Sequence, residues 1–336
     1  MSGLQVGLIG YGAWARSAYV PALRLDGRST IVAVAAVSTA TQDRAVAELG
    51  SHVRTYASAE TLLNAGGLDA VAVAVPDLAH EATLAAVLES GVPVLFEPPV
   101  ASDRDGVERM IELLRNASQP VYPDLELSYL PVAACIRAEV DAGTIGQTRS
   151  ARIRLQAAWG HTPGHTLSPV HVLAGWYLDL LDRLIGRSAR RILMLNGHES
   201  SELMQPRAIA HLDYEDVLGT FEINIASVGS LDISVELNGD EGDITCNPLT
   251  GTWRLRNRKH PSWAVRKAPA LEPPAGWPGV HECFRAFLDA VEHGTEDPST
   301  RDALIQQHKV GLAADRSCAS GAWENVQAVT VNPAAP

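Results

Sequence analysis

Over roughly the first 120 residues, short runs of consecutive apolar residues alternate with alanine- and leucine-rich stretches of helical period. Val6–Ile9 predicts a strand and Ala13–Leu25 a helix with Pro21 in its second half. Ile31–Val37 predicts a second strand, Thr41–Leu49 a second helix, and Val71–Val75 and Val94–Phe96 further strands flanking a helix at Glu81–Glu89. Strands that are apolar at every position are covered on both faces, and helices between them supply the cover. Right-handed crossovers then give a doubly wound parallel sheet.

The pattern changes after Gly146. Ser150–Ala157, Val217–Ala226 and Ser230–Leu237 alternate apolar with polar residues, the period of two expected of an antiparallel sheet with one wetter face. Helices are predicted at Val170–Ile185, Val280–His293 and Asp302–Ser320. Pro269, Pro273, Pro274 and Gly276 make Pro261–Pro278 read as a long surface loop, and Val331–Pro336 as a disordered tail. A length of 336 residues fits two domains, drawn at 1–122 and 123–330, with the tail at 331–336.

Composition narrows the partners. A formal net charge of −12 disfavours nucleic acid and anionic membranes, whose phosphates it would repel. The local basic run of Arg254, Arg256, Arg258 and Lys259 reads as a solvated strand and turn. The chain enters its first apolar strand almost directly from Met1, with no secretory leader, and has no apolar stretch of about 18 residues. Cys135, Cys246, Cys283 and Cys318 lie far apart with no CxxC pair, so reduced thiols in a cytoplasmic protein are expected, with neither a disulfide frame nor a metal site.

The chemistry begins at the first strand. Val6–Ile9 runs into Gly10-Tyr11-Gly12-Ala13-Trp14-Ala15, a GxGxxA turn opening a helix. Gly10 permits the tight turn, Gly12 lets the backbone approach a diphosphate, and Ala15 lets the helix pack close to the sheet. Ala13 and Trp14 sit on the helix N-terminus that faces the anion. These features specify a Rossmann dinucleotide-binding domain. At the end of the second strand, where a carboxylate would hold the adenosine ribose of NAD, the chain has Ser38-Thr39-Ala40-Thr41. Hydroxyls there, with Arg44 or Arg16 nearby, suit a 2′-phosphate, so NADP(H) is the preferred cofactor and NAD(H) the alternative. Arg44 can equally be a solvated helix residue.

Further motifs follow in order. Leu68-Asp69-Ala70-Val71 leads to Val75-Pro76 and His80. Gly91 through Pro99 reads GVPVLFEPP, containing Glu97 and Pro98. Gly143-Thr144-Ile145-Gly146, Gly239-Asp240-Glu241-Gly242 and Pro298-Ser299-Thr300 with Asp302-Ala303 complete the series. Together they resemble the Gfo/Idh/MocA oxidoreductases over nearly the whole chain. The resemblance implies a second, α+β domain with an open, mostly antiparallel sheet whose free face makes a homodimer or homotetramer. It also implies cofactor contacts from Pro76, His80, Glu97 and Pro98. It departs where the chemistry lies. The family's lysine position is Pro98, and anchoring on Tyr177-Leu178-Asp179-Leu180-Leu181 puts Val172 and Trp176 at its aspartate and histidine. A proline has no proton to give, and oxidation of an alcohol needs a base for the hydroxyl proton.

Replacement groups are sought nearby. His161, His165 and His171 fall within eleven residues, but Pro163 and Gly164 break any helix that would present them to zinc. Each can serve as a general acid or as a loop-capping residue. Tyr129, in Asp124–Pro131, a segment similar to a strand of the family, is either core or a proton donor. Glu126 lies in the same segment, and Asp179 is either structural or part of the site. The expectation is an atypical NADP(H)-dependent reductase of a small organic molecule (an imine, enone or carbonyl). The alternative is a non-redox enzyme (a lyase, isomerase or cyclase) or a non-catalytic binding protein on a retained nucleotide fold.

Overall fold

The computed structural model describes residues 3–160, 164–198, 202–271, 276–295 and 297–326. The chain forms two compact units, Met1–Glu126 with Glu272–Asp302, and Leu127–Leu271 with Ala303–Pro336.

The first unit begins β1 (Leu4–Ile9), α1 (Val20–Asp26), β2 (Ser29–Ala35), α2 (Thr39–Leu49), β3 (Arg54–Tyr56) and α3 (Ala59–Ala65). It continues β4 (Ala70–Val73), α4 (His80–Ser90), β5 (Val94–Phe96), α5 (Arg104–Asn116) and β6 (Val121–Pro123). All strand pairs are parallel, in the order β3-β2-β1-β4-β5-β6. The run is apolar because the middle strands are sealed on both faces: Ala70 to Val73 and Val94 to Phe96 are all buried. α5 supplies one cover, with Val107, Met110, Ile111 and Leu114 buried along one stripe. The order reverses between β1 and β4, which is where such sheets open a crevice at their carboxyl ends.

The second unit contains α6 (Pro131–Asp141), β7 (Thr148–Gln156), α7 (Pro169–Ile185), β8 (Arg191–Asn196), β9 (Arg207–Asp213) and β10 (Leu218–Asn224). β11 (Asp232–Gly239), β12 (Gly242–Asn247), β13 (Thr252–Asn257) and β14 (His260–Lys267) follow. Along the chain then come α8 (Val280–His293), which packs with the first unit, α9 (Pro298–Ser320) and β15 (Glu324–Asn325). Nine strands form one sheet, in which only β7 and β10 pair parallel. Alternation is visible in β9 and β11, whose residues point by turns into the core and outward. α7, capped by the Ser168 hydroxyl, is the apolar helix buried against this sheet.

Four sequence readings are corrected. The linear division assigned all of 123–330 to the second domain, whereas 272–302 pack with the first. The cause is α8, whose Phe284 and Phe287 stack edge-on and tilted against Tyr19 and Tyr122 of that unit, at 5.0 and 5.7 Å. The loop expected at Pro261–Pro278 contains β14 as far as Lys267. The helix expected at Ala13–Leu25 has a π turn at Ala15–Tyr19, because Pro21 cannot donate to the Ser17 carbonyl one turn back. The strand expected over Asp124–Pro131 ends at Pro123, and Glu126–Tyr129 is a 3₁₀ turn. The tail 331–336 lies outside the described residues. No helix among the described residues is long and apolar enough to cross a membrane.

Candidate active site

The turn after β1 is dictated by contact with β4. Gly10 has φ of +91°, and a Cβ there would sit 2.0 Å from the Ala74 carbonyl oxygen, so no other residue fits. A Cβ on Gly12 would meet nothing within 4 Å, which leaves that side of the turn open to a ligand. Ala13 is exposed on the first helical turn and Ala15 fully buried against the sheet. A cavity of about 520 Å³ opens here, lined by Gly10, Tyr11 and Gly12 and by Val75, Pro76 and Ala79 after β4. Small residues on facing turns, with backbone donors at a helix start, fit a dinucleotide diphosphate.

The cavity continues over the end of β2. Val37, 94% exposed, belongs to the cleft wall and not to the strand, which ends at Ala35. Ser38 caps α2: its hydroxyl accepts from the Thr41 amide at 3.2 Å and donates to the Thr41 hydroxyl at 2.8 Å. Thr39 is exposed on the first turn of α2 outside the lining, whereas Thr41 lies in it. Of the two arginines considered for a 2′-phosphate, Arg16 is closed off by a bidentate pair with Glu48 at 2.7 and 2.9 Å. Tyr11 also donates to Glu48, and burial with that bond pushes its hydroxyl up to about 12. Arg44 lines the cleft. Ser58 and Glu60 at the start of α3 line it too; neither was foreseen, because nothing in their local pattern marks them as facing a ligand.

The carboxyl ends of β5 and β6 hold the polar groups. Residues 97 and 124 directly follow the paired Phe96 and Pro123, so Glu97 and Asp124 stand side by side. Pro98 is buried. His80 is buried as well, its ring nitrogens 2.5 Å from the Pro99 carbonyl and 2.8 Å from that of Val75; it pins two turns together and does not line the cleft. Burial, with Asp124 and Asp77 nearby, pushes Glu97 up to about 8. Burial pushes Asp124 up to about 7 and Glu126 well above the usual carboxylate range. Trp14 turns away from the cavity onto this cluster, its ring 5.5 Å from that of Trp277, which donates to Glu126 at 3.3 Å.

In the second unit, His171 is buried on α7, 2.7 Å from the Asp315 carboxylate, with His308 at 3.3 Å from its other nitrogen. A Cβ on Gly311 would fall 2.3 Å from the His171 ring, so α9 is cut to fit it. Asp179, 2% exposed, accepts from Ser128 and from Arg183. His165 is buried and Tyr129 half-buried. Val172 is 8% exposed and Trp176 half-buried on α7. His161 lies outside the described residues. Thus Gly10, Gly12, Ser38, Arg44 and Pro76 gather on one cleft, while Ala13, Trp14, Ala15, Thr39, His80, Glu97 and Pro98 flank or support it.

Residues 4–124 match the model of an oxidoreductase family described by its NAD-binding Rossmann fold. Inositol 2-dehydrogenase 1 of Saccharopolyspora erythraea is 27% identical over 98% of this chain and 91% of its own length. Among solved structures, levoglucosan dehydrogenase in complex with NADH and levoglucosan superposes with a TM-score of 0.82 at 16% identity, covering 96% of this chain and 99% of the other. GenD2 from gentamicin A biosynthesis, in complex with NAD, gives 0.79 at 19% identity over 97% of both chains. At these identities the structural likeness is one of fold. A parallel sheet with its glycine turn, a mixed second sheet and these matches point one way: residues 4–124 match the Gfo/Idh/MocA oxidoreductase model, and the chain is similar to such relatives along nearly its whole length.

Proposed function

We propose that the protein is an NADP(H)-dependent reductase of a small organic substrate (a carbonyl, imine or enone) and accepts NAD(H) less well. The observation that carries this reading is the cleft itself: an open glycine turn for the diphosphate, with Thr41 and Arg44 at the adenosine end and no carboxylate closing β2. When bound, the dinucleotide supplies the hydride. Gly12 and the helix start behind it hold the diphosphate, and Arg44 takes the 2′-phosphate. Gly10 keeps the turn in register with β4.

The relatives are named for oxidation of inositol, yet the positions corresponding to the family's lysine, aspartate and histidine are Pro98, Val172 and Trp176 here. None of these side chains can take a proton from an alcohol, which favours acceptors that are already electrophilic. The same three replacements motivate the second reading, a non-redox enzyme or a binding protein. We further propose a homodimer or homotetramer formed through the outer face of the large sheet, where Leu195 and Ile209 are 53% and 42% exposed beside a shallow hollow.

The test has two parts. Equilibrium binding of NADPH and NADH, followed through the fluorescence of the dihydronicotinamide itself, reads affinity, with NADPH expected the tighter. Oxidation of NADPH is then followed with ketones, imines and enones, and NAD⁺ reduction with inositol. Turnover of an electrophilic acceptor with inositol inert is the expected result. Binding without turnover of any of them supports the non-redox reading, and no binding removes the proposal.

A further inference from the structure

Five buried polar atoms in the first unit lack a hydrogen-bond partner and lie in one place. They are both carboxylate oxygens of Asp124, one of Glu126, the Tyr19 hydroxyl and the Trp14 indole nitrogen. Buried polar groups are almost always satisfied, so a concentration of exceptions calls for an explanation. Asp124 and Tyr19 are fully buried and Glu126 is 6% exposed. Tyr19, Cys283 and Trp14 approach the Asp124 carboxyl closely enough to temper the effect of its burial, yet none meets it with full hydrogen-bond geometry. Tyr19 is directed at the acids, its own proton held by burial and by Asp124 and Glu97. The walls are aromatic: Trp14, Tyr19, Trp277 and Phe284 form an unbroken series of edge contacts.

The charged and titratable neighbours explain what state these acids occupy. Glu97 faces Asp124 and Asp77; Asp124 faces Tyr19 and Cys283; Glu126 faces Asp124 and Glu97. None of these is a cation. No group of three or more His, Cys, Asp and Glu among the described residues is placed to hold a metal ion. Without a cation to neutralise it, a buried carboxyl keeps its proton. Asp124 and Glu126 are enclosed, whereas Glu97 is partly exposed at the carboxyl end of β5. A dinucleotide bound across the switch point between β1 and β4 would extend towards the carboxyl end of β5, where Glu97 stands.

We propose that Glu97 is the proton donor of this enzyme, standing in for the side chain that Pro98 lacks, with Asp124 and Glu126 as positioning residues that keep it loaded. The proposal rests on the reductase reading. A bound dihydronicotinamide would supply hydride to the acceptor carbon, and the electron pair of the acceptor's double bond would then move to its heteroatom. That atom forms a bond to the Glu97 proton as the Glu97 O–H bond breaks. The carboxylate so formed takes a proton from Asp124, and solvent reaching the partly exposed Glu97 returns one proton to the pair.

Infrared spectroscopy of the cofactor-free protein tests the store. The carbonyl band of protonated carboxyl groups is followed from pH 6 to 9.5 in the native chain, Glu97→Gln and Asp124→Asn. The native band should fade across neutral to mildly alkaline pH, Glu97→Gln should remove its most alkaline component, and Asp124→Asn should move that component to lower pH. No such band above pH 6, or one indifferent to Glu97→Gln, overturns the proposal. Turnover tests the role. Glu97→Gln should lower kcat at least 100-fold on a ketone or neutral imine. The loss should be at least tenfold smaller on an N-alkylated iminium salt, which needs no proton. Equal loss on both acceptors, or no loss on the ketone, also overturns it. Should the native chain bind NADPH and reduce nothing, the reductase reading fails and the donor role fails with it, while the infrared result still decides whether the store exists.

Discussion

Each unit buries an aspartate that burial pushes up to about 7, Asp124 in the first and Asp182 in the second. Their surroundings differ. Asp182 accepts from the Tyr214 hydroxyl at 2.8 Å and from Gln307 at 2.9 Å. Neither oxygen of Asp124 is met with full hydrogen-bond geometry, although Tyr19, Cys283 and Trp14 lie against it. The contrast extends to their neighbours. In the second unit Asp179 is met by Ser128 and Arg183, and His171 by Asp315. In the first, the phosphate turn and the acid cluster leave polar groups open. The Asp182 carboxylate is met on both oxygens, although Gln307 Oε1 and His308 Nε2 of the same unit go unpartnered. A carboxylate closed in this way specifies packing, whereas acids left open beside a ligand crevice are available for chemistry.

The most severe way to break this contrast is at the turn. Gly10→Ala forces a Cβ into the Ala74 carbonyl and should cost about 4 kcal/mol or prevent folding, with nucleotide affinity lost in whatever folds. Urea denaturation with and without NADPH measures both. A nearly native midpoint with intact binding would show that the turn relaxes freely.

Next is the closed network. Asp182→Ala strands the Tyr214 hydroxyl and the Gln307 amide in the core and should cost roughly 3 kcal/mol, read by urea denaturation. Cofactor affinity should not change, since Asp182 belongs to the second unit's core and not to the cleft. A loss of affinity comparable to the loss of stability would erase the distinction drawn between the units.

Asp124→Asn should do the reverse. A carboxyl whose folded pKa is raised binds its proton more tightly in the folded state. Its contribution is therefore complete below the unfolded pKa, near 4, and is lost as pH rises towards 7. Asparagine imitates the neutral acid without that loss. The variant should match the native chain near pH 4.5 and exceed it by about 2 kcal/mol at pH 8, in parallel urea titrations. A variant less stable than native at pH 8 would mean that Asp124 is ionised and satisfied there.

How far these features were legible in the chain follows from the same physics. The parallel sheet, the glycine turn and the large mixed sheet are written in apolar runs and alternation, which depend on local spacing. The return of 272–302 to the first unit is not, because Phe284 and Phe287 declare an apolar stripe without naming the surface it covers. Glu126 stood out by its position, yet Asp124 did not, since burial without a partner is a property of three dimensions. The histidines drew attention by crowding in sequence, and His171 proves to be bound to Asp315, far away along the chain. Ser58 and Glu60 face the cleft through turns whose direction no periodicity encodes.

The smallest effect sharpens the comparison at the scale of single arginines. Arg16 and Arg44 both lie near the end of the cleft proposed for the adenosine, but Arg16 is held by two bonds to Glu48, whereas Arg44 lines the cleft and feels Glu48 only at longer range. A paired guanidinium must lose its carboxylate before it can take a phosphate; an unpaired one gains a charge-assisted bond at once. Arg44→Ala should therefore weaken NADPH about tenfold, near 1.4 kcal/mol, and leave NADH within twofold. Arg16→Ala should move neither by more than about threefold. Fluorescence titration of both variants at fixed ionic strength measures this, because salt screens the contact. If Arg16→Ala abolished the NADPH preference and Arg44→Ala did not, the Glu48 pair would have to open on binding. An open polar group would then no longer be a guide to where this protein meets its ligand.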